Sequence, residues 1–502
     1  MNANRAQGNH VSAGVVRSMC LSMLIGFLFS TGGRANNISV SNISTTGQDT
    51  AAKTTLVQFD LAWENSLRTT TNHDAVWLFV KFHHPATTGD WAHATLSINA
   101  GDHTAPAGAT VVPAADGTGV FLHRGANGSG DVNFTGVQLQ WNYGSVTDFE
   151  NVTVNVQVFA IEMVYVAQGA FGAGSGGSEI AAFTLTTINT ADATTAGGFP
   201  TGQAAPDNAS WPNGFNAFYC MKYEISQEQY TTFLNTLTRD QQNVRTESNV
   251  SRDTITNIFV MSNTPSVSRR NTITAPVAGN GTTAPITFTT LTPDRACNWL
   301  SWADGVAYAD WSGLRPMTEL EFEKACRARK APVPNEYAWG TTDIHASAYA
   351  LSNDGTPNAQ ISNMGTRTGN VSYFTTDGSI NGPLRCGIFA ASAVTPDRVE
   401  TGRSANGAME LSGNLWERPV TIGNQSGLAF TGNHGDGYLN AVGSANVGGW
   451  PADNASGAGS RGGDWFFSAV ALRVSDRSLA LVAIAGRGDG FGFRCVRSGP
   501  AP

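Results

Sequence analysis

Residues 461–495 read Arg461-Gly462-Gly463-Asp464-Trp465-Phe466-Phe467-Ser468-Ala469-Val470-Ala471-Leu472-Arg473-Val474-Ser475-Asp476-Arg477-Ser478-Leu479-Ala480-Leu481-Val482-Ala483-Ile484-Ala485-Gly486-Arg487-Gly488-Asp489-Gly490-Phe491-Gly492-Phe493-Arg494-Cys495. The adjacent glycines Gly462 and Gly463 mark a turn whose backbone needs the freedom of a missing Cβ. Beyond them neither a 3.6-residue nor a two-residue period sorts the apolar side chains to one face. Phe466, Phe467, Val470, Leu479, Leu481, Val482 and Ile484 are interleaved with Ser, Ala, Gly and Asp. Arg473, Asp476 and Arg477 read as fixed scaffold with an internal ion pair. Two readings stay open. Residues 479–484 form a buried strand, or the apolar residues form an exposed patch of the kind that marks a partner site.

Working outward, residues 330–498 have almost no helical periodicity and are rich in Gly and Asn. This predicts irregular loops held by a few short strands. So long a stretch needs something to pin it, and metal ions or disulfides are the usual devices. Upstream, three short amphipathic helices are predicted. The first starts at Ser226, with Gln229 completing a capping box and Tyr230, Phe233, Leu234 and Leu237 on one stripe. The second starts near Ser301 and stops before Gly313. The third starts at Thr318, capped by Glu321, and carries Leu320, Phe322 and Ala325.

Between about 37 and 160 the period switches to two. Val57, Phe59, Leu61 and Trp63 alternate with polar or small neighbours, as do Val137, Leu139 and Trp141, and Val152, Val154, Val156 and Val158. Turn-rich clusters separate these runs, which predicts a β-sandwich. Six of the nine histidines fall here, including His83, His84 and His93. Adjacent histidines on a strand point to opposite faces, so packed or surface histidines are expected rather than a metal centre.

The 502-residue chain is long enough for two or three domains. It carries a net charge of −8 and shows no Lys/Arg cluster, so nucleic acid is not an expected partner. At the N-terminus Arg5 and Arg17 precede an apolar run from Met19 to Phe29, and Gly33-Arg34-Ala35 is a small-residue cleavage site. Residues 1–35 therefore read as a signal peptide; the run is short for a membrane span, and a signal anchor is the alternative. The chain is expected to be exported (secreted, periplasmic or on the cell surface), with no membrane span after signal removal. Five cysteines follow the signal: Cys220, Cys297, Cys326, Cys386 and Cys495. Disulfides are the default in an oxidising compartment, and an odd count leaves one thiol over.

From 161 to 498 a set of motifs falls in one order. They are Met163-Val164-Tyr165-Val166 with Gly169 and Phe171; Tyr223-Glu224-Ile225-Ser226 with Tyr230 and Phe233; and Leu314-Arg315-Pro316-Met317-Thr318-Glu319 with Phe322-Glu323. Then come Tyr337-Ala338-Trp339-Gly340, Gly413-Asn414-Leu415-Trp416-Glu417, Arg461-Gly462-Gly463 with Trp465, and Gly492-Phe493-Arg494. The segment 161–499 resembles the formylglycine-generating, or sulfatase-modifying factor, enzymes. The resemblance implies an α+β, C-type-lectin-like fold with much irregular structure, here preceded by an all-β sandwich-like domain over 37–160.

Several chemical expectations come with that resemblance. Cys326 and Cys495 stand where the family has a disulfide; a Cys220–Cys297 bridge is a second option. Asn363 and Asp377, with the carbonyls of Met364 and Ser379, match one family calcium site. Asn414 and Glu417, with the Leu415 carbonyl, match another. Structural calcium is therefore expected. The two cysteines that bind copper and oxidise a substrate cysteine in the family correspond to Phe467 and Leu472, and the serine after Gly-Gly to Asp464. Neither Phe467 nor Leu472 can be a thiolate or a metal ligand, so copper is not expected and the activity is not carried over. The mix of fixed scaffold and varied apolar residues also resembles the variable region of retroelement-diversified proteins of this fold.

The expected function is thus a secreted or surface binding protein with an inactive sulfatase-modifying-factor fold, recognising a protein or glycan. Its expected contacts are Asp464, Trp465, Phe466, Phe467, Ser468, Val470, Ser478, Leu479, Leu481, Val482, Ile484, Asp489 and Phe491. The alternatives are an oxidoreductase acting on a protein cysteine and a structural surface or matrix component.

Overall fold

Strands β1 (Ser39–Asp49), β2 (Thr54–Arg68) and β7 (Gly128–Asn142) form one antiparallel sheet in the order β1-β2-β7. In β2 the alternation seen in the sequence decides the facing: Val57, Phe59, Leu61 and Trp63 are buried. Opposite them in β7, Val137, Leu139 and Trp141 are buried too. The computed structural model describes residues 38–84, 91–146 and 148–499; the signal-peptide expectation for 1–35 lies outside the described residues.

The second sheet is longer. It contains β3 (Asp74–His83), β4 (Trp91–His93), β5 (Ala109–Pro113), β6 (Val120–Arg124), β8 (Asn155–Val166), β11 (Phe218–Met221), β12 (Arg315–Pro316) and β15 (Cys495–Ser498). Its order is β12-β15-β11-β8-β3-β6-β5, with β4 also on β3. The pairs β9 (Phe171–Ala173) with β10 (Thr186–Ile188), and β13 (Leu351–Ser352) with β14 (Gln360–Ile361), stand apart.

Strand β8 explains how the β layer joins the rest. It runs through the 160/161 boundary drawn from the sequence, and both halves of the long sheet hang on it. On one face Val158 enters the sandwich core with Val76, Leu78 and Val80 of β3, while Val164 and Val166 enter a second core with Phe322 and Ala325. Between these cores Glu162 is buried and paired with Lys222 at 2.5 Å. On the opposite face Ile161 and Met163 join Trp77, Phe79, Tyr219 and Met221 in the largest core, under the helices.

The four longest described helices are α1 (Gln227–Leu234), α2 (Arg239–Arg245), α3 (Trp302–Trp311) and α4 (Glu319–Arg327). Ser226, Ser301 and Thr318 cap α1, α3 and α4 with reciprocal side-chain bonds, as the sequence indicates. Helix α2 carries the same box, Thr238 with Gln241, but its charged composition hid it from an apolar-stripe search.

The five described cysteines are all unpaired and buried, which corrects the expected Cys326–Cys495 bridge. The reason is strand alternation. In β15 it is Val496 that enters the core holding Cys326, whereas Cys495 faces the opposite core. Cys220 and Cys297 are likewise in different cores, so the optional second bridge is not formed either.

Candidate functional site

The site grows from α4. Glu319 and Glu323 are four residues apart, so they share one helix face, and both are completely buried. Arg461 bridges them, with Nη1 to Glu319 at 2.7 Å and Nη2 to Glu323 at 2.8 Å. Arg477 donates from Nε to Glu319 at 2.6 Å, and Arg327 pairs with Glu323 at 2.6 Å and with Glu336. Burial pushes both helix carboxyls up, but the guanidiniums around them outweigh it and hold each below its ordinary range. These ion pairs clamp 461–477 onto α4. The ion pair expected within Arg473, Asp476 and Arg477 is instead made by Arg477 to Glu319. Asp476 accepts from the Ile180 and Ser478 backbones, and Arg473 donates to Asn335.

Gly462 and Gly463 turn the chain with φ of 85° and 72°. A Cβ on Gly463 would lie 2.5 Å from Leu472 Cδ1. Asp464 then accepts hydrogen bonds on Oδ1 from the Phe466 and Phe467 amides at 2.8 and 2.9 Å. This turn pushes two phenylalanines outward. Phe466 is 59% exposed, Leu481 56%, and Phe467, Val470 and Val482 are exposed as well. Residues 479–484 are not a strand; Ala480 is buried, and Leu479 and Ile484 are half-buried.

Phe374, 60% exposed, stands edge-on to Phe466 at 5.8 Å and takes a backbone bond from its amide to the Phe467 carbonyl at 3.1 Å. Phe467 in turn meets Trp416 edge-on at 5.0 Å. Sequence reading missed Phe374 because it lies about ninety positions upstream of the loop it completes, and only the Tyr-Phe doublet at 373–374 hinted at it. Of the thirteen expected contacts, the structure thus brings Phe466, Phe467, Ser468, Val470, Leu481 and Val482 to the surface. Asp464 and Trp465 are buried, Ser478 is bound to Asp476, Asp489 pairs with Arg269 at 3.2 Å, and Phe491 is half-buried under Arg418.

Residues 148–499 match the family described as the sulfatase-modifying factor enzyme 1-like domain. The chain belongs to this family. Among solved structures it is similar to Treponema denticola variable protein 1, at 12% identity and a TM-score of 0.31, over 68% of this chain and 96% of that one. No curated protein matches it.

The positions expected from the resemblance to correspond to the family's cysteines, Phe467 and Leu472, are hydrocarbon. Leu472 is fully buried against Trp416, Tyr337 and Trp339. Every described cysteine lies in a core where burial pushes its thiol up, Cys220 to about 12.

At the first expected calcium position the donors are already engaged. Asn363 bonds the Ala350 amide at 2.7 Å and the Ala348 carbonyl at 2.9 Å. Asp377 accepts from the Asn381 and Gly382 amides, and the Ser379 carbonyl from Asn381. Met364 is half-buried in a small apolar cluster. At the second position Asn414 Oδ1 already accepts the Leu384 amide at 2.8 Å, and the open acceptors are single carboxylate oxygens. Glu224 receives Asn414 Nδ2 and, at 2.9 Å, the Leu415 amide. Glu417 receives Arg494 at 2.7 Å on one oxygen, while its other oxygen and one of Glu410 are buried with no hydrogen-bond partner. Burial raises all three carboxyls, Glu410 to about 7. Among the described residues no three His, Cys, Asp or Glu side chains already converge in a metal-binding geometry. No described helix is long and apolar enough to cross a membrane.

Proposed function

We propose that this chain is an exported ligand-binding protein that has kept the sulfatase-modifying-factor fold without its oxidative chemistry. One observation carries the reading: six exposed apolar side chains, Phe374, Phe466, Phe467, Val470, Leu481 and Val482, are presented from a base locked by buried ion pairs. Exposed apolar side chains gain free energy when a partner covers them. The rigid base supports recognition, because little loop entropy is lost on binding. The division between buried charged scaffold and exposed varied tips also supports genetic diversification of 464–491.

The absence of sulfur at 467 and 472 argues against the family's oxidation of a substrate cysteine, a reaction that needs a paired thiolate. Calcium is proposed as a structural ion at Glu224, Asn414 and Glu417 with the Leu415 carbonyl, where the unpartnered carboxylate oxygen of Glu417 suits a cation that seeks oxygen ligands.

Replacing only the exposed Phe466, Phe467, Val470, Leu481 and Val482 by serine, with Arg477 and the other buried scaffold residues kept, tests the binding reading. Ligand capture on the exporting cell's natural surface partners should disappear while melting temperature holds. Undiminished capture refutes it. Oxygen-dependent conversion of a cysteine peptide to an aldehyde would establish the enzymatic reading instead.

A further inference from the structure

Where the sandwich core meets the core of Phe322 and Ala325, three ionisable side chains converge on one face of the long sheet. Asp74 opens β3, Glu162 lies in β8, and Lys222 directly follows β11. Glu162 stands opposite Val76, and Asp74 opposite Val164. Met221 stands opposite Met163, and the Lys222 amide bonds the Glu162 carbonyl at 2.9 Å. Residues opposite one another, or two apart along a strand, share a face, so the register sets Asp74, Glu162 and Lys222 side by side. Asp74 and Glu162 are buried, and the Lys222 side chain is only 13% exposed.

The trio is unbalanced, with two carboxyls against one ammonium. Lys222 Nζ donates to Glu162 Oε1 at 2.5 Å and stands 3.7 Å from Asp74 Oδ2, a contact too long for a hydrogen bond. Asp74 is fixed from its other side. Its Oδ1 accepts from Ser66 Oγ and from the Leu67 amide, each at 3.0 Å, and Oδ2 shares that amide at 3.0 Å. Burial pushes Asp74 up in spite of Lys222 and these donors, and it pushes Glu162 up to about 7. Burial lowers Lys222, but Glu162, Tyr223 and Asp74 outweigh it and hold the ammonium above its ordinary range. The resting pair is therefore an ammonium on Glu162, beside an Asp74 whose neutral acid form is favoured by burial.

We propose that Lys222 and Asp74 join in an intramolecular isopeptide bond, with Glu162 carrying the protons. The Lys222 ammonium passes one proton to the Glu162 carboxylate and becomes a neutral amine. Its lone pair forms a bond to Cγ of the protonated Asp74. Negative charge gathers on Oδ1, where Ser66 Oγ and the Leu67 amide are already aimed. Glu162 returns its proton to the Oδ2 hydroxyl, the Cγ–Oδ2 bond breaks, and water leaves. A second nitrogen proton passes to Glu162, and an uncharged amide remains. No electrons change hands and no co-reactant enters. The fold supplies the proximity that free amine and acid lack, and the product relieves the cost of burying two charges.

Proteolytic digestion of the denatured full chain with tandem mass spectrometry tests the bond. The expected product is a branched peptide joining Lys222 to Asp74, lighter than its two parts by one water, with no tryptic cut after Lys222. Lys222→Arg, which keeps the charge but has no nucleophilic amine, should yield no branch. Glu162→Gln, which cannot accept the proton, should slow branch formation at least about 100-fold. Melting temperatures show whether the variants fold; if they do not, the wild-type digest alone decides. Unlinked Lys222 and Asp74 peptides from the wild type, water lost at Asp74 without a branch, or branching as fast in a folded Glu162→Gln variant overturns the proposal.

Discussion

Replacing Arg477 by Met removes one arm of the lattice beneath the exposed loop and leaves its shape largely filled. Three contacts go with the guanidinium: the bonds to Glu319 at 2.6 and 3.1 Å, a bond to the Ala181 carbonyl at 3.1 Å, and the stacking over Phe183 at 4.0 Å. Glu319 stays fully buried with Arg461 as its remaining cation. Stripping one partner from a buried pair costs about 3–5 kcal/mol, because the other charge is left short of compensation. Against a typical total of about 5–15 kcal/mol, that is a large share. Urea unfolding should therefore show a lower midpoint with an unchanged slope, their product corresponding to that loss.

The pH dependence supplies a second reading of the same experiment. Arg477 helps hold Glu319 below its ordinary range, so this contribution is present above the unfolded carboxyl pKa and lost as pH falls through the lower folded value. The difference between wild type and Arg477→Met should shrink in acid. A loss below about 1 kcal/mol at neutral pH, the worth of a surface pair, would refute the claim that this lattice supports the loop.

Phe466→Ser should change stability by no more than about 0.5 kcal/mol, as an exposed substitution, yet reduce ligand capture; urea melts and a capture assay read the two effects. Gly463→Ala should cost about 2 kcal/mol or more, because the left-handed backbone and Leu472 both oppose a methyl group there, and thermal unfolding measures it. Burial raises Asp464 to about 7, so its protonated form favours the fold and that contribution fades as pH rises from the unfolded value toward 7. Asp464→Asn should accordingly stabilise at pH 8 relative to wild type and not at pH 4, measured by melting temperature. None of the five buried thiols should react with a thiol-exchange reagent before unfolding; rapid labelling of the native protein would contradict their burial. A fragment beginning at residue 161 should fail to fold, shown by circular dichroism, because the cut severs β8.

Much of this was legible in the chain because local rules agreed with the final structure. The capping boxes at Ser226 and Thr318 located two helices, and the alternation of Val57 to Trp63 fixed which face is buried. The ordered motifs identified the family, because Glu319, Glu323, Arg461 and Arg494 are the buried ions that hold an irregular fold together. Residues whose partners are remote in sequence were harder. Phe374 meets Phe466 only after folding, and Glu410 joins Glu224 and Glu417 from another segment. The cysteine pairing failed because it depends on which way a strand faces, and Cys495 and Val496 differ by that one step.

The undivided strand Asn155–Val166 has a mechanical corollary. With sandwich and lectin-like portion sewn to the same ribbon, and Trp77 of the one bonded to Ser312 of the other at 2.8 Å, the molecule has no elbow there. A force applied at the amino-terminal layer would therefore reach the phenylalanine tips through a stiff rod of backbone hydrogen bonds rather than a slack leash.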